Sequence, residues 1–292
     1  MKSFLIVALQ IFALVCLFGV WIAPITRSID PAVDDLVVLF GRFSYASVLV
    51  VAGAKLMSHL DKKKYYPEKI RNLTRRKNFV YVLLAGFYLA VSYFAYTRSF
   101  RLSSHLAPAL SLGNISIVWV IVFSFRKAWR ETPLTMSTAL GLLMATCTLL
   151  IPGEAGGVNA ATAWGLVASF FLALYLIKSQ QLPRQAPSYA VVAWYCLVGA
   201  AMGFLGLMAA VSLDNHEFID VLMRPQFHLK MLGLGAGTAL AFFIYTWVLQ
   251  RVSPLIVSAF LVLTPAANSL LDKLMSSETK ITPTQITGVI VV

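Results

Sequence analysis

Ten long apolar runs constrain this chain more than any other feature. Nine occupy roughly residues 4–25, 36–57, 79–97, 105–125, 135–151, 161–178, 189–213, 229–249 and 255–274, and a tenth begins near Ile281 and reaches Val292. About 18 apolar residues, rising about 1.5 Å each, suffice to cross a bilayer core of about 30 Å as a helix. Hydrocarbon offers no partner to a backbone N–H or C=O, so a spanning segment must satisfy its own, as a helix does. The expected fold is all-α and integral to a membrane, with ten transmembrane helices. The tenth run has only 12 residues, about 18 Å of helix, and is read as a helix cut short by truncation.

Composition agrees. The chain of 292 residues is 59% hydrophobic and 12% charged, against about 45–50% and about 25% for a soluble globular domain. The first run follows a single Lys2 and ends at Trp21-Ile22-Ala23-Pro24. It is longer than a signal-peptide core and lacks a small-x-small cleavage site, so it is read as a retained first helix.

The net charge of +12 does not point to nucleic acid, because nine of the 24 Lys and Arg lie between Lys55 and Lys77, in one loop between apolar runs. Such a loop faces the cytoplasm and its anionic headgroups. With the N terminus cytoplasmic, the further inward loops hold Arg126, Lys127 and Arg130, then Lys178 and Arg184, then Arg251. The outward loops then hold Arg27 with Asp30, Asp34 and Asp35, then Arg98 and Arg101, then Glu154 alone, then Asp214, Glu217 and Asp220 against Arg224, so the bias rests chiefly on the first inward loop. The expected location is the plasma (inner) membrane, crossed many times.

Site chemistry of the enzymatic kind is not visible. Cys16, Cys147 and Cys196 lie inside apolar runs without metal-ligand spacing, so neither disulfide nor metal is expected. His59, His105, His216 and His228 are scattered in loops or at run ends. No phosphate loop, Gly-x-Ser-x-Gly, His-Glu-x-x-His or Cys-x-x-Cys occurs, so no cofactor and no catalytic residue is expected. No Asp or Glu lies at the middle of a run, which counts against a buried carboxylate proton relay. An integral membrane enzyme acting on lipid, and a channel or non-transporting subunit, are two functions open to a chain of this class.

The chain also repeats itself. Phe94, Tyr96, Thr97, Ser104 and Leu106 match Phe243, Tyr245, Thr246, Ser253 and Leu255 at an offset of 149. Glu131, Thr132, Thr135 and Gly141 match Glu278, Thr279, Thr282 and Gly288 at 147. Two blocks in the same order imply a duplication. Residues 1–152 form one five-helix repeat and residues 161–292 the second. Five is odd, so the second copy enters the membrane from the other side. Inverted repeats are a recurring architecture of secondary transporters, with the substrate site near the midplane between the copies.

These features resemble the drug/metabolite transporter superfamily of the EamA type. The motifs in common are Arg42-Phe43 in the second run, Phe94-Ala-Tyr-Thr97 and Phe243-Ile-Tyr-Thr246 ending the third and eighth, Thr264-Pro265 in the ninth, and Glu131 and Glu278 before the fifth and tenth. Departures are Gly113-Asn114-Ile115-Ser116 where that family often has proline, and Arg130 and Ser277 in place of a glycine before each Glu. The resemblance implies ten helices in two repeats and transport of amino acids, drugs, nucleotide-related compounds or other metabolites. It also implies export as the direction.

Several residues are candidates for the substrate cavity. Arg42 lies about six residues, roughly 9 Å, from the outer end of its run. A charge there is costly and points to contact with an anion or carboxylate; otherwise the side chain snorkels outward or binds carbonyls of a neighbouring helix. Asn114, Thr264 and Asn268 put polar groups at corresponding depths of the two halves, as cavity lining or interhelical glue. Tyr88, Trp119 and Tyr175 are deep aromatics suited to a cavity wall, and Gln10 is a lone amide in the first run. Other aromatics near run ends, among them Tyr93, Tyr96, Tyr195 and Tyr245, are read as interface-belt or packing residues. Gly199 and Gly203, and Gly233, Gly235 and Gly237, are spaced for close helix contact. The expected partners are a small-molecule substrate and the lipid bilayer, with a homodimer left open.

Overall fold

The computed structural model describes residues 9–10, 13, 17–30, 33–60, 76–102, 116–128, 160–182, 187–211, 223–254 and 256–257. Regular structure among them is entirely helical. A π-helical stretch, Leu17–Ile22, leads into α1 (Ala23–Arg27); then come α2 (Asp35–Leu60), α3 (Arg76–Leu102), α4 (Ser116–Ala128), α5 (Ala160–Gln180), α6 (Ser188–Val211) and α7 (Pro225–Leu249). Five of these, α2, α3, α5, α6 and α7, are long and apolar enough to cross a membrane.

The second, third, sixth, seventh and eighth apolar runs each form one of these five helices, beginning one to four residues before the run does. The later part of the fourth run lies in α4, which continues three residues past it. The fifth and tenth runs and nearly all of the ninth lie outside the described residues, and so does the expected truncation of the tenth. Helix starts have local causes. The Asp34 carboxylate accepts the Leu36 backbone N–H at 2.7 Å at the head of α2, as a capping residue does. Pro225 takes the first turn of α7, where its missing N–H costs nothing. Pro24, expected to close the first run, instead occupies the first turn of α1 directly after the π-helical stretch, for the same reason.

Packing brings together elements far apart in sequence. The consecutive helices α2 and α3 touch only lightly, whereas α2 packs closely on α6 and α7, and α3 on α5 and α6. Helices from the two halves of the chain therefore interleave. On the α3–α5 contact, Ser92 Oγ donates to the Ala168 carbonyl at 2.9 Å and Ser99 Oγ to the Ala161 carbonyl at 2.8 Å. Moving seven residues along one helix moves seven back along the other, so the pair is antiparallel. Two small-residue seams bring α6 and α7 onto α2. A Cβ on Gly203 would lie 2.7 Å from the Phe40 Cα and N, and one on Gly235 would lie 2.6 Å from Tyr45 Cβ. Gly199 abuts the Phe43 ring more tightly still. These glycines permit the close contact expected of them.

One end of the bundle collects charge. Asp35, buried at the start of α2, accepts Arg98 Nη1 at 2.9 Å and also Arg101 Nη1, both from the end of α3. Arg101 Nη2 reaches the Asp30 carbonyl at 3.2 Å. Arg224, preceding α7, faces the Asp30 carboxylate at 3.6 Å, and Lys230 Nζ donates to the Ser28 carbonyl. The α2 and α7 starts and the α3 end thus share one face. At the opposite end Phe79 near the start of α3 stacks edge-on to Trp194 of α6, and Lys178 near the end of α5 lies over the Tyr81 ring. Successive spanning helices therefore alternate in direction.

Candidate functional site

Polar side chains buried in an apolar bundle are the informative exceptions to its composition, and here they converge. Arg42 of α2 is 2% exposed. Its Nε donates to Thr238 Oγ1 of α7 at 2.5 Å, and its guanidinium carbon sits 4.1 Å from the centre of the Tyr93 ring of α3. It therefore does not snorkel to an interface, and among the described residues it binds no neighbouring carbonyl, the two structural readings open from sequence. A guanidinium has five N–H donors, and Nη2 is buried with no hydrogen-bond partner among the described residues. No carboxylate among those residues pairs with it.

Aromatic rings enclose this cation. Tyr93 meets the Phe242 ring at 5.3 Å and 90°, and Phe43 lies 5.9 Å from each. Thr238, Phe242 and Tyr245 follow at i, i+4 and i+7 on α7 and so share one face. Tyr245 carries the cluster on to Tyr175 of α5, ring centres 6.1 Å apart, and Tyr175 reaches Tyr195 of α6 at 5.5 Å. The Tyr195 and Ser179 hydroxyls are 2.9 Å apart. The Tyr175 hydroxyl lies beside Ser179 and Thr246 without forming a well-aligned hydrogen bond to either. Five helices and both halves of the chain contribute to the cluster.

Of the residues singled out by sequence, Arg42 and Tyr175 fall in this cluster. Tyr88 and Trp119 fall in another. Trp119 Nε1 donates to Ser169 Oγ at 3.0 Å, and the rings of Trp119, Phe170, Phe171 and Tyr88 follow one another along the α3–α5 and α4–α5 contacts. Both are half-buried. Gln10 is half-buried, its Oε1 without a hydrogen-bond partner among the described residues. Asn114, Thr264 and Asn268 lie outside the described residues.

Sequence reasoning passed over Tyr93, Tyr195, Tyr245 and Thr238. The three tyrosines, with Tyr96, lie toward run ends, where an interface belt is expected, yet all are buried. A usable signal was present. Tyr96-Thr97 and Tyr245-Thr246 are the matched residues of the two repeat blocks, and all four are buried. Tyr93 and Phe242, which touch, stand at the same offset of 149.

Spanning helices apolar on all sides, with a polar interior and charge gathered at an end, define an integral, multi-pass membrane protein. Residues 159–292 match the model of the EamA-like transporter family. That match covers the second half of the chain, and the family is part of the drug/metabolite transporter superfamily, whose members are membrane transporters. A solved structure described only as the crystal structure of a protein superposes with a TM-score of 0.71 at 16% identity. The alignment covers 100% of this chain and 94% of that one, a likeness of fold alone. No curated protein matches the sequence.

Proposed function

We propose that the protein is a secondary transporter that exports small organic metabolites such as amino acids. It works by alternating access around a site between two inverted five-helix repeats, residues 1–152 and 161–292. It sits in the plasma (inner) membrane with its N terminus in the cytoplasm. The observation that carries this reading is the buried cluster of Arg42, Tyr93, Thr238, Tyr175, Tyr195 and Tyr245, to which both halves contribute. A bundle held by packing alone would be served by apolar residues there. A buried polar cluster costs free energy unless each group finds a partner, and Arg42 Nη2 has none among the described residues. Contact between Tyr93 and Phe242, at equivalent positions of the duplication, supports an axis relating the halves near this point. Two related halves enclosing a site offer two states of similar energy, open to opposite sides.

The test is transport by the purified chain in liposomes, screened with labelled amino acids, nucleosides, organic acids and quaternary amines. Saturable uptake that is accelerated by unlabelled solute on the far side is expected. Flux that never saturates, or an ionic conductance without counterflow, would refute alternating access.

A further inference from the structure

We infer that the carried solute is an organic anion whose carboxylate docks on Arg42 and whose apolar or aromatic body lies against the tyrosine cluster. This rests on the transporter reading and narrows its solute from small metabolites in general, amino acids included, to organic anions without an ammonium group. Arg42 is buried, and its Nη2 has no partner among the described residues. Thr238 occupies Nε and the Tyr93 ring covers one face of the guanidinium, which leaves an Nη edge for a ligand. Guanidinium and carboxylate match in plane and in donor spacing, the geometry that favours arginine for such recognition. Desolvating a charge costs several kcal/mol when it has no counter-ion. A monoanion would cancel that cost, so the loaded site is neutral and the empty one is cationic.

The surroundings argue against a zwitterion. Around Arg42 the described side chains include Phe43, Tyr93, Cys196, Thr238, Phe242 and, further on, Tyr245 and Tyr175. None is acidic. Asp35, the buried acid among the described residues, is engaged by Arg98 and Arg101 at the end of the bundle. An ammonium group on the solute would find no carboxylate among the described residues here. The rings and hydroxyls instead suit an aromatic carboxylate, with the Tyr175 and Thr246 hydroxyls placed for a polar substituent. Arg42 is nearly inaccessible in this structure, so the anion enters when the helices around it part.

Three probes with one phenyl body separate the charge classes: 3-phenylpropionate, phenylalanine and phenethylamine. They are tested in the same proteoliposomes as the wider solute screen, on wild type, Arg42→Gln and Arg42→Lys. The expected result is saturable, counterflow-competent transport of the carboxylate, with KM raised about 10- to 100-fold in Arg42→Gln and less in Arg42→Lys. Thermal unfolding in detergent provides a second reading. 3-Phenylpropionate should raise the Tm of wild type and not that of Arg42→Gln, whose own Tm reports whether it folds. Preference for the amine or the zwitterion overturns the anion assignment and leaves the transporter reading intact. So does transport confined to solutes lacking a carboxylate, or carboxylate transport indifferent to Arg42→Gln. Absence of saturable flux for every solute overturns both.

Discussion

Gly203 offers the sharpest test of how α6 meets α2. A methyl group added there would lie 2.7 Å from both the Cα and the N of Phe40, whereas carbon atoms pack best at about 3.5–4.0 Å. Backbone atoms cannot rotate aside, so α6 must withdraw by about 1 Å along this seam. A gap of that size forfeits about a quarter to a half of each contact's attraction, and overpacking of this kind costs about 1–3 kcal/mol. Alanine also favours a helix over glycine by about 1 kcal/mol, which masks part of the loss. Gly53 removes that ambiguity. It lies in α2, and a Cβ there meets nothing within 4 Å, so Gly53→Ala carries the helix gain alone. The difference between Gly203→Ala and Gly53→Ala is therefore expected to be about 1–3 kcal/mol, roughly 5- to 150-fold in the unfolding equilibrium. Gly41→Ala should fall between them, because its methyl crowds a flexible side chain, Met231 at 2.9 Å, and touches the Phe227 ring at an ordinary 3.6 Å, with no backbone in the way. The assay is reversible unfolding by SDS in mixed micelles, followed by tryptophan fluorescence. Equal stability of Gly203→Ala and Gly53→Ala would refute the packing described for this seam.

Two further outcomes follow from the hydrogen bonds and ion pairs. Ser92→Ala and Ser99→Ala each remove one bond between α3 and α5 and should cost about 0.6 kcal/mol apiece; seven residues, about 10 Å, separate them, so the double variant should show the sum in the same SDS titration. Asp35→Asn should destabilise by up to about 3 kcal/mol, since it strands the mostly buried Arg101, while Asp30→Asn, whose partner Arg224 is exposed, should cost about 0–1 kcal/mol. Equal effects of the two aspartate substitutions on the SDS midpoint would contradict the burial of Asp35.

What the sequence determined by itself was five of the expected spans and the class of protein. Residues 36–57, 79–97, 161–178, 189–211 and 229–249 each lie in one helix, because hydrocarbon leaves a long apolar segment no other way to satisfy its backbone. Arg42 stood out for the same reason, as a charge where charge is expensive. The glycine seams were legible as spacing, though not the helix they would face. Tertiary structure alone decided that α2 packs on α6 and α7 more than on α3, and that Arg42 lies on Tyr93 and Thr238. It also turned Tyr93, Tyr195 and Tyr245 inward, although their positions along the runs fitted an interface belt equally well. The physical reason is that helices apolar on every side carry no stripe to mark the face that will be buried. Which faces meet depends on where small residues let backbones approach, and that pairing between distant segments exists only once the chain has folded.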